Sequence, residues 1–141
     1  MCIEGHAQSP VDINPFPRFI PLTKSATFQF YRVSTIPFVV KYDYGILKIV
    51  CEKEDCAGFG TIVDKDFSEY NAKEIRFHTP AEHRINGRTF DLEVQVICDP
   101  ISPQDYSKRL GISFLFVISP GARNKFIDSL DLLNLPTQMD P

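Results

Sequence analysis

The strongest pattern along the chain is a two-residue alternation of apolar and polar positions in two stretches, 73–78 and 89–98. Side chains of a strand point to opposite faces in turn. Ile75 and Phe77 therefore share one face of the first stretch, with Glu74, Arg76 and His78 on the other. In the second, Phe90, Leu92, Val94 and Val96 face one way, and Asp91, Glu93 and Gln95 the other. Asn86-Gly87 lies between the two stretches and supplies the positive φ angles of a tight hairpin turn. The connection from Thr79 to Arg88 is longer than a minimal turn, so the pattern predicts a hairpin with an elaborated tip. Paired strands would merge their polar faces into one patch on the sheet.

Other elements follow from weaker signals. Phe28, Phe30 and Arg32 alternate with polar neighbours as in a strand. The β-branched run 46–51 after Gly45 predicts a well-buried strand, a charged turn follows at 52–55, and 56–63 returns as a strand. Residues 64–71 are polar and loop-like. The longest apolar run, 112–118, suits a buried strand ended by Pro120-Gly121, after which Phe126, Ile127, Leu130 and Leu133 fall at helical spacing. Residues 1–22 read as an extended, Pro-rich, surface-hugging arm, and the tail 134–141 carries no core-forming pattern. The fold class expected is mainly β (α+β), a mostly antiparallel twisted sheet with few short helices.

Composition narrows the function. A hydrophobic fraction of 43% with 12 Phe in 141 residues is enough for one domain, 1–141, with a real core. The net charge of −3 and the lack of a basic block argue against nucleic acid, which is bound first through clustered positive charge. No apolar run nears the ~20 residues that span a bilayer, and the N-terminus shows no signal-peptide pattern. The four cysteines, Cys2, Cys51, Cys56 and Cys98, lack zinc-ribbon spacing and read as buried free thiols.

Three stretches in order resemble the α-class carbonic anhydrases. Gln8-Ser9-Pro10-Val11-Asp12-Ile13 resembles that family's QSPI[DN]I arm, preceded by Cys2. Phe77-His78-Thr79-Pro80-Ala81-Glu82-His83, with Ile85-Asn86-Gly87-Arg88 after it, resembles the H-F-H-[WT]-[GP]-S-E-H segment and its hairpin tip. Leu92-Glu93-Val94-Gln95-Val96 stands where the family has L-E-x-H-x-V. The resemblance runs loosely on to Leu130 and implies the N-terminal half of a large, mostly antiparallel sheet, ending before the family's S-L-T-T-P-P loop. It also implies where the chemistry should be. Three neutral imidazoles hold a zinc ion there and lower the pKa of its water to about 7. The matching positions are Arg76, His78 and Gln95, so one imidazole of three is kept. Arg76 offers only donors, and a fixed cation two residues from His78 repels a divalent metal. The family's proton-shuttle His falls at Ile46. Glu82 matches a carboxylate whose hydroxyl partner belongs to the second half of the domain, and Glu93 matches the acceptor that orients the third ligand.

These substitutions lead to the expectation of a protein that is not an enzyme and has no cofactor and no metal. Glu74, His78, Glu82, His83 and Glu93 are expected to persist as a buried hydrogen-bonded network, with Arg76 pairing Glu93 or Glu74 in place of the metal's charge. His6 with Ser9 lacks an oriented carboxylate, Cys98 falls on the apolar side of its strand, and no Gly-rich phosphate loop occurs. The expected function is a non-catalytic structural subunit, with a protein partner completing or covering the half domain in a hetero-oligomeric complex. The alternatives are an autonomous protein- or glycan-binding module and a residual carbonic anhydrase. An unpaired Cys2 suits a reducing intracellular or organellar compartment, and equally a bond to another chain.

Overall fold

The structure is a computed structural model that describes residues 10–14, 27–30, 38–51, 58–63, 68–102 and 109–129. Its strands are β1 (Asp12–Ile13), β2 (Thr27–Phe30), β3 (Val39–Asp43), β4 (Ile46–Val50), β5 (Gly60–Val63), β6 (Glu69–His78), β7 (Arg84–Ile85), β8 (Arg88–Thr89), β9 (Leu92–Pro100) and β10 (Leu110–Phe116). One short helix, α1 (Lys125–Ser129), is found among the described residues. The main sheet runs β10-β9-β6-β4-β3, with β5 also on β6 and β2 on β5, and every pairing in it is antiparallel. This is the mainly β, antiparallel sheet that the alternation predicts.

The sheet is built on β6 and β9. Ile75 lies opposite Val96 and Phe77 opposite Val94, so their side chains meet on one face and form its core with Ile49, Ile62 and Cys98. Tyr70 and Ala72 join that core although they are even-numbered and Ile75 and Phe77 are odd. A register shift between Ala72 and Glu74 explains it: the extra residue, Lys73, reverses the parity. That bulge also hides the strand's start from the sequence. Its first residues, Glu69 to Asn71, pair with β5 where the polar composition suggests a loop.

The hairpin tip is the elaborated one expected. Asn86 and Gly87 have φ of 53° and 74° and close β7 onto β8. β1 adds to β7 in parallel, and the Asp12 carboxylate accepts from the Gly87 N–H at 3.0 Å. The described part of the arm, 10–14, is therefore exposed and tied to the tip.

Three expectations change. β10 is not a buried strand: among the described residues it is the sheet's edge, with Phe114 and Val117 about half exposed and Ile118 81% exposed. β4 is half-buried, and only Ile49 in it is fully so. The strand expected over 56–63 is seen as β5, Gly60–Val63, and it pairs with β2 and β6. Cys51 is disulfide-bonded and not a free thiol. Cys98 is free and wholly buried, and burial, with Asp99 beside it, pushes its thiol pKa up to about 12. Ile127 in α1 packs against the core. The charged turn 52–55, Cys2, His6, Ser9, Cys56, Leu130, Leu133, the tail and most of the arm lie outside the described residues.

Candidate functional site

The face opposite the core is polar because the register aligns the even positions of β6 with the odd positions of β9. Arg76 lies across from Gln95 and His78 across from Glu93. The row through Arg76 and Gln95 extends to Lys48 on β4 and Ser113 on β10. The three positions matched to a metal site, Arg76, His78 and Gln95, thus stand together on one sheet face. Ser113 is a residue that sequence reasoning missed. The lone polar residue of an apolar strand was the signal that could have placed it there.

Glu93 is the centre of the arrangement, with 0% of its surface exposed. One carboxylate oxygen, Oε2, accepts from the backbone N–H groups of Glu82 and His83, both at 2.9 Å. The other, Oε1, lies 2.6 Å from His83 Nδ1 and 2.8 Å from the Gln95 side-chain amide, which donates to it. Burial alone would raise its pKa, yet bonds from the His83 backbone, Ser113, Gln95 and the His83 ring hold it at about 2. Gln95 donates a second bond, of 3.3 Å, to Glu82. A primary amide is suited to that bridging place because its two hydrogens serve two carboxylates.

Arg76 turns to the other side. Its Nε and Nη2 donate to the two oxygens of Glu74 at 2.7 and 3.2 Å, the two-pronged geometry of a strong guanidinium–carboxylate pair. Lys48 Nζ lies 3.7 Å from Glu74 and 2.7 Å from Asp43. Burial pulls the Glu74 carboxyl upward, and Arg76 and Lys48 more than offset it, so its pKa is lowered; the Glu74 bond in turn raises that of Arg76. Of the two carboxylates considered for Arg76, Glu74 is the one it pairs with. Glu74 accordingly sits apart from the cluster around Glu93.

His78, 8% exposed, has Nδ1 3.5 Å from Glu82 Oε1. Its Nε2 is buried with no hydrogen-bond partner among the described residues. Glu82 lines two clefts. One, of about 490 Å3, is lined by Arg76, Glu82, His83, Gln95 and Ser113, with Pro10 at its side. The other, of about 410 Å3, is mostly apolar, with Ile46, Leu47, Phe77, Leu92 and Ile127 beside His78 and Glu82.

The donor set does not fit the zinc ion that the resemblance implies. Arg76 has no lone pair to give and is bound to Glu74. Gln95 has its amide hydrogens fixed by two carboxylates in a place where an imidazole would be needed. No group of three or more His, Cys, Asp or Glu suited to a metal occurs among the described residues.

Comparison with known proteins agrees with the architecture. No family profile matches the chain. Dioscorin DB3S of Dioscorea polystachya is 40% identical over 62 residues, which are 44% of this chain and 21% of that protein. Alpha carbonic anhydrase 2 of Arabidopsis thaliana is 30% identical over 103 residues, 72% of this chain and 39% of that one. The solved α-carbonic anhydrase of Photobacterium profundum superposes with a TM-score of 0.72 at 19% identity, over 99% of this chain and 56% of its own. The chain therefore spans well under two thirds of the proteins it matches.

Proposed function

We propose, for a chain related in sequence and in fold to the α-class carbonic anhydrases and the dioscorins, a non-catalytic role as a carbonic-anhydrase-like structural protein. The carrying observation is the composition of the old metal face. Arg76 supplies a fixed positive charge there, locked to Glu74, and Gln95 bridges Glu93 to Glu82 in the place of an imidazole. A guanidinium has no lone pair to give and cannot ligate. His78 alone cannot hold zinc or activate its water.

The role extends to holding another protein. β10 has no charged residue or proline from Leu110 to Phe116, and among the described residues no strand pairs with its outer side. Such an edge, continued by the exposed Val117 and Ile118, is a template for strand addition or apolar cover. No helix among the described residues is long and apolar enough to cross a membrane.

The test is calorimetric zinc titration of the full chain together with stopped-flow CO2 hydration on the same preparation. The reading expects no stoichiometric zinc and no rate above the uncatalysed reaction. One zinc per chain with measurable hydration would sink it.

A further inference from the structure

β10 is the open edge of the main sheet among the described residues, and three of its features find no use within that fold. The first is its backbone. The Phe116 carbonyl accepts from the Asp91 N–H at 3.0 Å, so it points towards β9. Alternate residues of an antiparallel strand turn their N–H and C=O groups to the same side, so those of Leu110, Ile112 and Phe114 also face β9. The groups of Gly111, Ser113 and Leu115 then point outward. The second feature is Gly111. It lies within the strand without a positive φ, and a Cβ built on it would meet only Ile97 Cδ1, at 3.9 Å. Nothing in the described fold calls for a glycine there, although glycine weakens a strand interior. The third is Phe114, which lies on the core side opposite Val94 and is still 44% exposed.

All three fit a second β10 laid antiparallel about a two-fold axis at Ser113. In that register Ser113 faces its own copy, Gly111 faces Leu115, Ile112 faces Phe114 and Leu110 faces Phe116. Each rung of outward residues makes a reciprocal pair of N–H···O=C bonds across the axis. The space left by Gly111 takes the copy's Leu115. Ile112 beside Phe114 is a β-branched–aromatic pair that covers the exposed ring. Leu110–Phe116 carries no charge, so no like charges meet at the axis. Arg109 is held by Asp99 at 2.9 Å and falls opposite Val117. β3, at the other end of the main path, carries Lys41 and Asp43, charges of the kind that keep an edge unpaired. A two-fold pairing closes on itself and does not grow into a fibre.

We infer that two copies of this chain pair through β10 into a two-fold dimer with one continuous sheet. The inference names the partner for the β10 edge and rests on the reading of that edge as a template for strand addition. One strand pairing with a narrow apolar strip lies at the low end of specific interfaces, so the dissociation constant is in the micromolar range.

Sedimentation equilibrium of the full chain tests it, with hydrogen exchange of the Gly111, Ser113 and Leu115 amides on the same samples. The expected result is a reversible monomer–dimer equilibrium, with those amides protected in the dimer and fast in the monomer. Gly111→Pro removes an outward N–H and leaves the β9 side intact, so it should weaken dimerisation at least about tenfold while the monomer stays folded. Ser113→Cys should give a disulfide-linked dimer in air, since facing Cα atoms in such a rung are about 5.5 Å apart. Gly111→Cys, with its copy ~13 Å away in this register, should not. Either Gly111→Pro or Ser113→Cys decides, provided it folds by circular dichroism. A chain that stays monomeric at millimolar concentration with fast amides overturns the inference and leaves the open edge standing. A monomer with those amides protected overturns the edge reading as well, because the chain itself then covers β10. A dimer that folded Gly111→Pro leaves unchanged, or an assembly larger than two, overturns the inference too.

Discussion

Replacing Glu93 by Gln keeps the shape of the side chain and removes its charge, at the one fully buried carboxylate of the site. The native group accepts from two backbone N–H groups and lies between the His83 ring and the Gln95 amide. In the variant, the new amide must turn its own hydrogens towards one pair of these donors. The magnitude follows from the pKa, which falls from an ordinary 4.5 to about 2 in the folded protein. A depression of that size corresponds to roughly 3 kcal/mol favouring the ionised folded state. Against a typical total of about 5–15 kcal/mol, it is a large share.

The sign of the pH dependence is fixed by the direction of the shift. A folded pKa below the unfolded one gives stability that is fully present above about pH 5 and is lost as pH falls through 4.5 towards 2. Urea denaturation of both proteins should show Glu93→Gln weaker by about 3 kcal/mol at neutral pH. By about pH 3 the gap should have fallen to less than half, because the wild type is losing what the variant never had. A gap that stays constant between about pH 6 and pH 3 would refute the electrostatic account. A loss below about 0.5 kcal/mol at neutral pH would refute the claim that Glu93 is the hub.

Two further outcomes test the frame around it. Gly58 has φ of 83°, and a Cβ there would lie 2.2 Å from the Ala72 carbonyl oxygen at the β6 bulge. Gly58→Ala should therefore destabilise the fold by about 2 kcal/mol or more, read as a lower thermal midpoint. The paired substitution Arg76→His and Gln95→His restores imidazoles opposite one another in register beside His78. It should give about one bound zinc per chain after dialysis, where the native chain gives none, measured by plasma mass spectrometry. A zinc-free double variant that still folds would show that the strand frame itself has drifted.

The sheet and its polar face were legible because residues 74–78 of β6 and 92–98 of β9 alternate with a period of two, with Asn86-Gly87 marking the turn region. Pairing Arg76 with Gln95 and His78 with Glu93 needed only that alternation and a shared hairpin. The start of β6 was hidden because one inserted residue, Lys73, reverses the parity of everything before it. The exposure of β10 was hidden for a different reason. An apolar run reports what a strand would bury, and whether a neighbour lies over Phe114 and Ile118 is decided by the rest of the sheet. The choice of Glu74 over Glu93 for Arg76 could not be read from the alternation, which puts both carboxylates on the same polar face. Lys48, which reinforces that choice, comes from a strand far away in sequence.

The two ends of the site explain one another. A wholly buried carboxylate without a cation is tolerated only if donors satisfy its lone pairs. Glu93 has them from the Glu82–His83 backbone, the His83 ring, Ser113 and the Gln95 amide. Gln95 is thus more than a missing ligand, because an amide holds Glu93 and Glu82 with neutral donors and needs no metal between them. Arg76 acts in the same direction by compensating Glu74, with which it forms a closed pair. His78 is the exception, since its buried Nε2 has no hydrogen-bond partner among the described residues. An unsatisfied buried nitrogen of this kind costs about 1–3 kcal/mol. The carboxylates of this face are satisfied by neighbouring donors, and His78 Nε2 is the buried polar atom left without a partner among the described residues.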